Sequence, residues 1–391
     1  MGCVLTGLRG STAGREALGA RRHANVRLTM GPGERVAGQG RGRHDMIDTA
    51  SDGGSVDILH DLNQLTAHHR TACRLYGDYV ATLFGDREAT SLAEVPYLPV
   101  RAFKTFDLKS IADADVFKTM TSSGTTGAVS RIHLDKETSK LQSQKLIEVF
   151  SDAFSRSRFP MLVIDAQSTV TDRRQFSART AAINGFSLFS RGRDFALDDR
   201  FAVDVDRVQA FVAANRGRRT FMFGFTFVVW QNFVAQLKRM NVRLDLSDAF
   251  LLHGGGWKKL ADQNITNERF KAEVLEWTGC SDVRNYYGMV EQTGTIFMEC
   301  EHGNLHAAPG SDAIVRDPAT FAVLPHGAQG LIQVFSVIQK SYPGHSLLTE
   351  DVGHTVDGAS CACGRKGTIV KIAGRLKMAE VRGCSDAYHS H

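Results

Sequence analysis

The sequence predicts an α/β fold with mixed or parallel sheets flanked by helices. Its 391 residues, 42% of them hydrophobic and 23% charged, have the composition of an ordinary globular protein with a sizeable core. From about residue 159 onward, strand-like and helix-like segments alternate, which favours helices packed on a largely parallel sheet. Glycine clusters follow several of the predicted strands, where ligands bind in such sheets.

The first elements are helical. Residues 57–84 carry apolar residues at spacings of three and four, which predicts one or two helices. Residues 95–108, VPYLPVRAFKTFDL, contain two prolines that stop a helix and favour an extended path. Residues 134–154 then predict a long helix with an acidic start.

The alternating region supplies the sheet and its cover. Strands are predicted at residues 160–166, 219–227, 249–256, 283–288 and 331–338, and helices at residues 205–215, 228–240 and 267–279. Phenylalanine recurs at every second position from 221 to 227, which predicts one face of a core strand.

Charge is concentrated in the first 45 residues. They hold eight arginines, no lysine and three acidic residues, so their own net charge of +5 equals the net charge of the whole chain. The chain from Met46 onward is therefore formally neutral, which argues against a nucleic-acid partner. We interpret residues 1–45 as a disordered Gly/Arg-rich tail. There are three alternatives: a myristoylation signal at MGCVLT, a transit peptide, or a biological start of the protein at Met46.

Composition also bears on compartment. No apolar run approaches the roughly 20 residues of a membrane span. The chain has seven cysteines, an odd number, and no secretory signal. This pattern predicts that the protein is located in the reducing cytoplasm and that its thiols bind a metal or are reactive.

One loop has the composition of an anion site. Residues 121–127, TSSGTTG, combine hydroxyls with glycines whose backbone N–H groups can surround phosphate oxygens. A Walker A loop requires lysine after the second glycine, but Gly127 is followed by Ala128 and Val129. The loop is therefore either an unusual phosphate site or a plain turn.

Four further motifs lie at the ends of predicted elements. Three consecutive glycines at 254–256 offer bare backbone to a flat ring such as adenine, or form a flexible connection. In NYYGMVEQTG, Tyr287 could stack on a base and Glu291 could hold Mg²⁺, with a surface turn as the alternative. Asp351 is expected to follow another apolar strand, where its carboxylate could accept hydrogen bonds from ribose hydroxyls. Arg375 is expected to contact a phosphate or to act as a hinge.

The order and spacing of these motifs resemble the adenylate-forming superfamily of acyl-CoA synthetases, firefly-type luciferases and peptide-synthetase adenylation domains. Within it the chain is similar to the acyl-protein synthetases of bacterial bioluminescence operons, the LuxE type. The similarity covers roughly residues 57–386 and is carried by VPYLPVRAFKTFDLKSI, SSGTTGAVSRIHLD, HGGGWKK, YYGMVEQTG and RGCSD.

The resemblance implies a domain plan and a role for each motif. It implies an adenylating domain over residues 46–373 and a short C-terminal tail over residues 374–391. Glu291 would bind Mg²⁺, Asp351 the ribose, and Arg375 the ribose or phosphate. The residues implied to hold the ATP phosphates are Ser122, Ser123, Gly124, Thr125, Thr126 and Gly127, and those implied at the adenine are Gly254, Gly255, Gly256 and the stacking Tyr287.

Two departures from the superfamily pattern stand out. Larger relatives carry a mobile C-terminal lid with a catalytic lysine, whereas sixteen residues follow Arg375 here. The lid is therefore expected to be absent or vestigial, with Lys377 as a possible substitute for its lysine. The usual Pro-Lys after the loop is Val129-Ser130, which leaves Arg131 as the nearest cation.

The C-terminal tail contains Cys384, beside Arg382 and near His389. Neighbouring positive charge lowers a thiol pKa toward the reactive thiolate, although an exposed thiol on a chain end is often inert. In acyl-protein synthetases a cysteine near the C-terminus accepts the acyl group as a thioester. The resemblance assigns that role to Cys384.

A second group of thiols suggests a metal. Cys300 and His306 form one pair and Cys361 and Cys363 another, and four such ligands suit a structural tetrahedral zinc site. His302 is the alternative fourth ligand, and ordinary reduced thiols are the alternative interpretation.

The resemblance implies an AMP-forming ligase that uses ATP and Mg²⁺ to activate a carboxylic acid, with a fatty acid as the implied substrate, and transfers the acyl group to a protein thiol. The implied partner is an acyl reductase or another acyl-accepting protein. Gly224 and Phe225 would line an apolar acyl pocket. The alternatives are a ligase that uses coenzyme A or a carrier protein, of the phenylacetate-CoA-ligase-like type, and a catalytically lapsed nucleotide- or acyl-binding subunit.

Overall fold

A mixed sheet of thirteen strands is the main feature of the protein. The structure is a computed structural model that describes residues 58–122, 129–171, 178–256 and 265–376. No helix in these ranges has the length and apolar character needed to cross a membrane. The α/β class expected from the sequence, with a mixed sheet and flanking helices, is confirmed.

The helices include several single turns, and a π-helical segment, Val229–Val234, joins α8 to α9. In chain order they are α1 (Ile58–Ala72), α2 (Arg74–Leu83), α3 (Ala102–Thr105), α4 (Lys136–Ala153), α5 (Ser168–Thr171), α6 (Ala178–Phe186), α7 (Val205–Ala214), α8 (Thr226–Val228), α9 (Ala235–Met240) and α10 (Asn267–Thr278).

The strands differ greatly in length. They are β1 (Leu98–Pro99), β2 (Lys118–Thr121), β3 (Arg131–Leu134), β4 (Phe159–Ala166), β5 (Ser190–Leu197), β6 (Thr220–Phe225), β7 (Ala249–Gly254), β8 (Asp282–Tyr287), β9 (Phe297–Glu299), β10 (Leu305–His306), β11 (Ser311–Arg316), β12 (Val323–Leu324), β13 (Gly330–Ser336), β14 (Ser346–Val356) and β15 (Ile369–Arg375).

One half of the sheet is parallel, in the order β5-β4-β6-β7-β8. Every residue of β6 and β7 is buried, as expected for parallel strands that are covered on both faces. The registers pair Phe225 with Gly254 and His253 with Asn285. The carboxyl ends of β6, β7 and β8 therefore lie at one edge of the sheet.

The other half is mostly antiparallel and continues from β8 through β9, β10, β15, β14, β13, β11 and β12. The short β1 pairs in parallel with β14. The β14–β15 register places Asp351 opposite Arg375. Strands β2 and β3 form a separate antiparallel pair on either side of the TSSGTTG loop.

Each half of the sheet has its own hydrophobic core. In the parallel half, Phe221 of β6 stacks on Phe250 of β7 with ring centroids 5.0 Å apart, and Phe270 of α10 is buried in the same cluster. In the antiparallel half, Tyr342 and Val334 belong to a second cluster. Burial of these apolar faces is the main stabilising contribution to the fold.

The helices predicted in the first half of the chain are confirmed. Asp135 caps α4 by accepting a hydrogen bond from the Thr138 backbone N–H at 2.7 Å, which explains why the helix starts there. The extended path predicted for residues 95–108 is wrong in part, because α3 forms a helical turn between the proline-containing β1 and Phe106.

Other strand predictions need correction. The Phe repeat does not continue as one strand, because β6 ends at Phe225 and Phe227 lies in α8. There the Thr226 hydroxyl donates to the Gly254 carbonyl at 3.0 Å. Asp351 lies within β14 rather than after it. Strand β15 ends at Arg375 and so includes the first two residues of the segment 374–391 that was expected as the C-terminal tail.

Candidate active site

Three of the predicted nucleotide residues meet where β8, β14 and β15 come together. The Tyr287 hydroxyl donates to Asp351 Oδ2 at 2.8 Å. Arg375 Nε lies 4.0 Å from Asp351 Oδ1 across the β14–β15 pair. Burial and the adjacent Asp351 carboxylate raise the pKa of Tyr287 well above its ordinary value, so the phenol keeps its proton and acts as a donor.

Two charged residues that received no role from the sequence complete this group. Glu350, next to Asp351 on β14, forms ion pairs with Arg375 and with Arg101, whose Nη2 lies 2.7 Å from Glu350 Oε1. Burial opposes ionisation of Glu350, but Arg375 and Arg101 outweigh it and lower the pKa of the carboxyl below its ordinary value. Glu350 is therefore ionised and holds both arginines at the site.

Glu291 lies beside this group, in the 3₁₀ turn Val290–Gln292, and is only 7% exposed. Burial raises the pKa of its carboxyl, while the nearby Ser130 hydroxyl and the positive charges of Lys104 and Arg375 act in the opposite direction. A carboxylate of this kind is a hard oxygen ligand of the type that Mg²⁺ prefers. The site therefore contains a ligand that fits the implied metal.

The ends of the TSSGTTG loop are held together next to Glu291. The Ser122 backbone N–H donates to the Ser130 carbonyl at 3.1 Å, and the Ser130 backbone N–H donates to Ser122 Oγ at 2.9 Å. Ser130 also acts to lower the pKa of Glu291, so this end of the loop lies close to the carboxylate. The other residues assigned to the phosphates lie outside the described residues: Ser123, Gly124, Thr125, Thr126 and Gly127.

The three glycines after β7 have different surroundings. A Cβ atom on Gly254 would lie 2.3 Å from the Tyr286 ring, and one on Gly255 would lie 2.3 Å from Phe225 Cδ1. Gly256, with φ of +78°, has open space at the same position. The absence of a side chain at Gly254 and Gly255 therefore makes room for the aromatic rings of Tyr286 and Phe225. Of the three glycines, Gly256 is the one whose backbone is open to a ligand.

The predicted acyl-pocket residues lie in the core behind these glycines. Gly224 is enclosed by Ile164 and Val229, and Phe225, 2% exposed, packs on Gly255. Their assignment to an acyl pocket stays a prediction.

The four predicted metal ligands are brought together by the antiparallel half of the sheet. The ligand atoms of Cys300, His306, Cys361 and Cys363 all lie within 4.8 Å of one another. Cys300 Sγ is 3.8 Å from Cys361 Sγ, and Cys363 Sγ is 3.3 Å from His306 Nε2. A tetrahedral zinc ion with bonds of about 2.0–2.3 Å separates its ligands by similar distances.

The surroundings of this cluster favour His306 over the alternative His302. His306 Nδ1 lies 3.1 Å from the Gly367 carbonyl, so a proton on Nδ1 leaves the Nε2 lone pair facing the thiols. His302 instead contributes its backbone N–H to Cys300 Sγ at 3.4 Å. The residues present therefore fit a closed zinc site distant in sequence from the glycine motifs.

Three further predictions concern residues outside the described ranges. Cys384, with its neighbours Arg382 and His389, and the alternative lysine Lys377 all lie there. Their roles stay predictions, as do the tail of residues 1–45 and the vestigial lid.

Comparison with solved structures shows which known fold the protein has. The fold is similar to that of 2-hydroxyisobutyryl-CoA ligase, whose structure was determined in an open conformation with 2-HIB-AMP and CoA. The TM-score is 0.63 at 13% identity, over 82% of this chain and 69% of that one. The protein thus has the fold of the adenylate-forming ligases.

The family follows from the sequence comparisons. The family model of the LuxE acyl-protein synthetases matches residues 57–391, and the chain belongs to that family. It is similar to the long-chain-fatty-acid–luciferin-component ligase of Vibrio harveyi, with 31% identity over 35% of this chain and 36% of the relative. The corresponding ligase of Aliivibrio fischeri is 22% identical over 75% of this chain and 78% of its own length. The first match thus spans about a third of the relative's length.

Proposed function

We propose that the protein activates a carboxylic acid with ATP as an acyl-adenylate and then transfers the acyl group to the thiol of Cys384. The observation that supports this most directly is the meeting of Tyr287, Asp351 and Arg375 beside Glu291. These four residues come from three separate motifs, and adenylation needs hydrogen-bond acceptors, a cation and a metal ligand at one place.

In the first step a carboxylate oxygen of the acid bonds to the α-phosphorus of ATP, and the bond to the bridging oxygen breaks to release pyrophosphate. Bound Mg²⁺ supplies charge neutralisation on the phosphate oxygens. Asp351 accepts from the ribose hydroxyls, Glu291 holds the metal, and Arg375 stabilises negative charge. The second step forms the C–S bond from the Cys384 thiolate to the acyl carbon and releases AMP.

The acid and the acceptor are proposals that rest on the relatives. The names of the two luciferin-component ligases point to a long-chain fatty acid, and the family points to a protein acceptor such as an acyl reductase. A phenylacetate-CoA-ligase-like reaction with coenzyme A or a carrier protein is the main alternative. A lapsed nucleotide- or acyl-binding subunit is the other, and the absence of lysine after the TSSGTTG loop favours it.

The test combines two assays on the full chain. Carboxylate-dependent exchange of pyrophosphate into ATP reports adenylation, and labelling of the protein by a radioactive fatty acid reports the thioester. We expect Cys384→Ser to retain exchange and lose the label, while Cys3→Ser keeps both.

Each alternative has its own outcome. Label retained by Cys384→Ser would reject this cysteine as the acceptor. Acyl transfer that requires added coenzyme A or carrier protein would favour the second reaction. ATP binding without exchange across fatty acids of graded length and aryl acids would identify a lapsed binding subunit.

A further inference from the structure

A buried ion pair lies at the carboxyl end of β4, and the proposed reaction gives it no role. Arg179 Nε, in the first turn of α6, is 3.2 Å from Asp165 Oδ2, and the two side chains are 4% and 1% exposed. Thr169 bridges them, because its hydroxyl donates to Asp165 Oδ1 at 2.6 Å and accepts from Arg179 Nη2 at 3.1 Å. Burying a charged pair costs free energy that the mutual attraction often fails to recover, so the pair is weak evidence of a stabilising role.

The pair keeps hydrogen-bonding capacity that no described residue uses. Arg179 Nη1 has no hydrogen-bond partner among the described residues. The same holds for Arg179 Nε and Asp165 Oδ2, which lie in contact as ions but are not aligned for a hydrogen bond. Buried polar groups in folded proteins are normally hydrogen-bonded, and a group without a partner is costly. N–H donors and a carboxylate acceptor are therefore both available here, side by side, to a ligand.

This pair lies beside the residues that the sequence assigned to an acyl pocket. The β4–β6 register places Asp165 at the level of Phe225 on the neighbouring strand. Ile164, directly before Asp165, is the residue whose Cβ would lie 3.0 Å from a Cβ on Gly224. The unused donors and acceptor are thus next to Gly224 and Phe225, the two predicted pocket residues.

Helix α6 links the pair to the proposed nucleotide site. It begins next to Arg179 and ends at Phe186, whose ring packs on Tyr286 of β8 with centroids 5.3 Å apart. Within the helix, Ala181 packs against the same hydrophobic cluster as Tyr287. One rigid element therefore contacts both the end of β8, where the nucleotide residues lie, and the ion pair at the end of β4.

A strained residue covers Arg179 from the other side. The guanidinium carbon lies 5.2 Å from the ring centroid of Phe201, whose φ of +58° is unfavourable for a bulky side chain. The Phe201 carbonyl accepts from the side-chain amides of Asn232 and Gln236 at 3.3 and 2.8 Å. Asn232 belongs to the π-helical segment, and its Oδ1 is another buried acceptor without a hydrogen bond from the described residues. Backbone strain and π-helical turns both occur preferentially at functional sites, which favours a binding role for this cluster.

We propose that Asp165 and Arg179 bind a hydroxyl group of the carboxylic acid, so that the preferred substrate is a hydroxylated acid. A hydroxyl accepts from the Arg179 guanidinium and donates to Asp165 Oδ2, and it satisfies both groups without adding charge. A second carboxylate on the acid would instead place another negative charge beside buried Asp165. The inference rests on the proposed function, since it assumes that an acid is adenylated next to Phe225.

Pyrophosphate exchange by the full chain tests this with matched straight-chain acids, with and without one hydroxyl group, over a range of chain lengths and hydroxyl positions. We expect the wild-type protein to favour a hydroxylated acid over its unsubstituted counterpart by about tenfold or more in kcat/KM, because the unsubstituted acid leaves buried polar groups unpaired. The double variant Asp165→Leu with Arg179→Met removes the pair without leaving a lone buried charge, and it should abolish this preference.

Two further variants complete the test. Arg179→Lys keeps a positive charge beside Asp165 but loses the forked donors, so it should also lower the preference. Arg219→Gln is the matched control, because Arg219 also pairs with an aspartate, Asp282 at 3.0 Å, and lies over a phenylalanine ring, that of Phe250 at 5.0 Å. Arg219 precedes β6, at the opposite end of the strand from Phe225, and its loss should leave the preference unchanged.

Other results would overturn the inference in different ways. A wild-type protein with no preference for a hydroxyl at any position would leave the ion pair a purely structural role. A preference retained by both Arg179→Lys and the double variant, with Tm values like that of wild type, would show that other residues recognise the hydroxyl. Failure to exchange pyrophosphate with any acid, hydroxylated or not, would instead reject the proposed function, and with it this inference.

Discussion

Tyr287 and Asp351 are 64 residues apart in the chain, yet a single hydrogen bond of 2.8 Å joins them. The bond orients a carboxylate that would otherwise rotate, and Arg375 faces the other oxygen of the same carboxylate. An acceptor held in this way is preorganised for a diol, because its orientation is settled before the ligand arrives. At this scale the site depends on the phenol hydroxyl as well as on the ring.

The first prediction separates these two features of Tyr287. Tyr287→Phe keeps the aromatic ring for stacking but removes the hydroxyl that orients Asp351. We expect the KM for ATP in pyrophosphate exchange to rise about fivefold, as expected from the loss of one hydrogen bond of about 1 kcal/mol.

Tyr79→Phe is the matched control, since it removes a hydroxyl that donates to the Tyr97 carbonyl on another part of the molecule. An unchanged KM in Tyr287→Phe, combined with a raised KM in Asp351→Asn, would show that Asp351 acts without help from the phenol.

Among the elements, the shortest strands depend most on contacts with other segments for their stability. Strand β10 has two residues and pairs with both β9 and β15. The Cys/His cluster surrounds this point, because Cys300 follows β9, His306 lies in β10, and Cys361 and Cys363 lie between β14 and β15. A zinc ion held by these four residues would connect three segments that share few apolar contacts.

The second prediction concerns this metal. Protein purified without chelators should contain about one zinc ion per chain, and Cys361→Ser should lose it and lower Tm by about 5 °C or more, because metal binding adds directly to folding stability. Metal analysis and calorimetric melting measure the two quantities.

Cys3→Ser provides a control that removes a thiol remote in sequence from the four ligands. Zinc-free protein whose Tm does not respond to a strong chelator would contradict the metal assignment and favour ordinary reduced thiols.

Across the whole molecule, the N-terminal helices are joined to the segment before β14 by buried histidines. The rings of His69 and His345 stack with centroids 5.1 Å apart, and both are fully buried. His69 Nδ1 lies 2.7 Å from Ser110 Oγ, and His345 Nε2 lies 2.9 Å from Thr66 Oγ1. Burial lowers the pKa of His345 to about 3, and burial together with His345 and His68 lowers that of His69 well below the ordinary value.

The third prediction is a loss of stability in mild acid. These histidines are neutral in both states above their unfolded pKa of about 6.5, so their contribution is fully present there. Below that pH the unfolded chain binds protons that the folded protein rejects, and the free energy of unfolding falls by up to about 1.4 kcal/mol per pH unit for each histidine. For His345 this fall continues down to its folded pKa of about 3. Urea unfolding at pH 7.5 and at pH 5.5 measures the difference.

His345→Gln should lower stability at neutral pH but reduce the dependence on pH, whereas exposed His60→Gln should change neither. An identical pH dependence in wild type and His345→Gln would show that this histidine is not responsible.

Much of the molecule could be predicted from local patterns. The long helix α4 was signalled by its acidic start, and the parallel strands β4, β6 and β7 by continuous apolar runs. Strands β9 to β12 were not anticipated, because short antiparallel strands are stabilised by distant partners and carry little signal of their own. The sequence assigns no role to Glu350 and Arg101 for a related reason. Their charges have no distinctive spacing, although the segment containing Arg101 is part of the family resemblance.

The amino-acid sequence alone was sufficient for the class of fold and the family, since these depend on residue types at short spacings. It also proposed the site residues of the glycine, tyrosine and cysteine motifs, whose roles stay predictions. Only the tertiary structure could place Tyr287, Asp351 and Arg375 in one group and add Glu350 to it. It likewise decided that His306 rather than His302 faces the thiols. The physical reason is that strand register and the packing of distant segments set these distances, and neither is encoded in the spacing of a single motif.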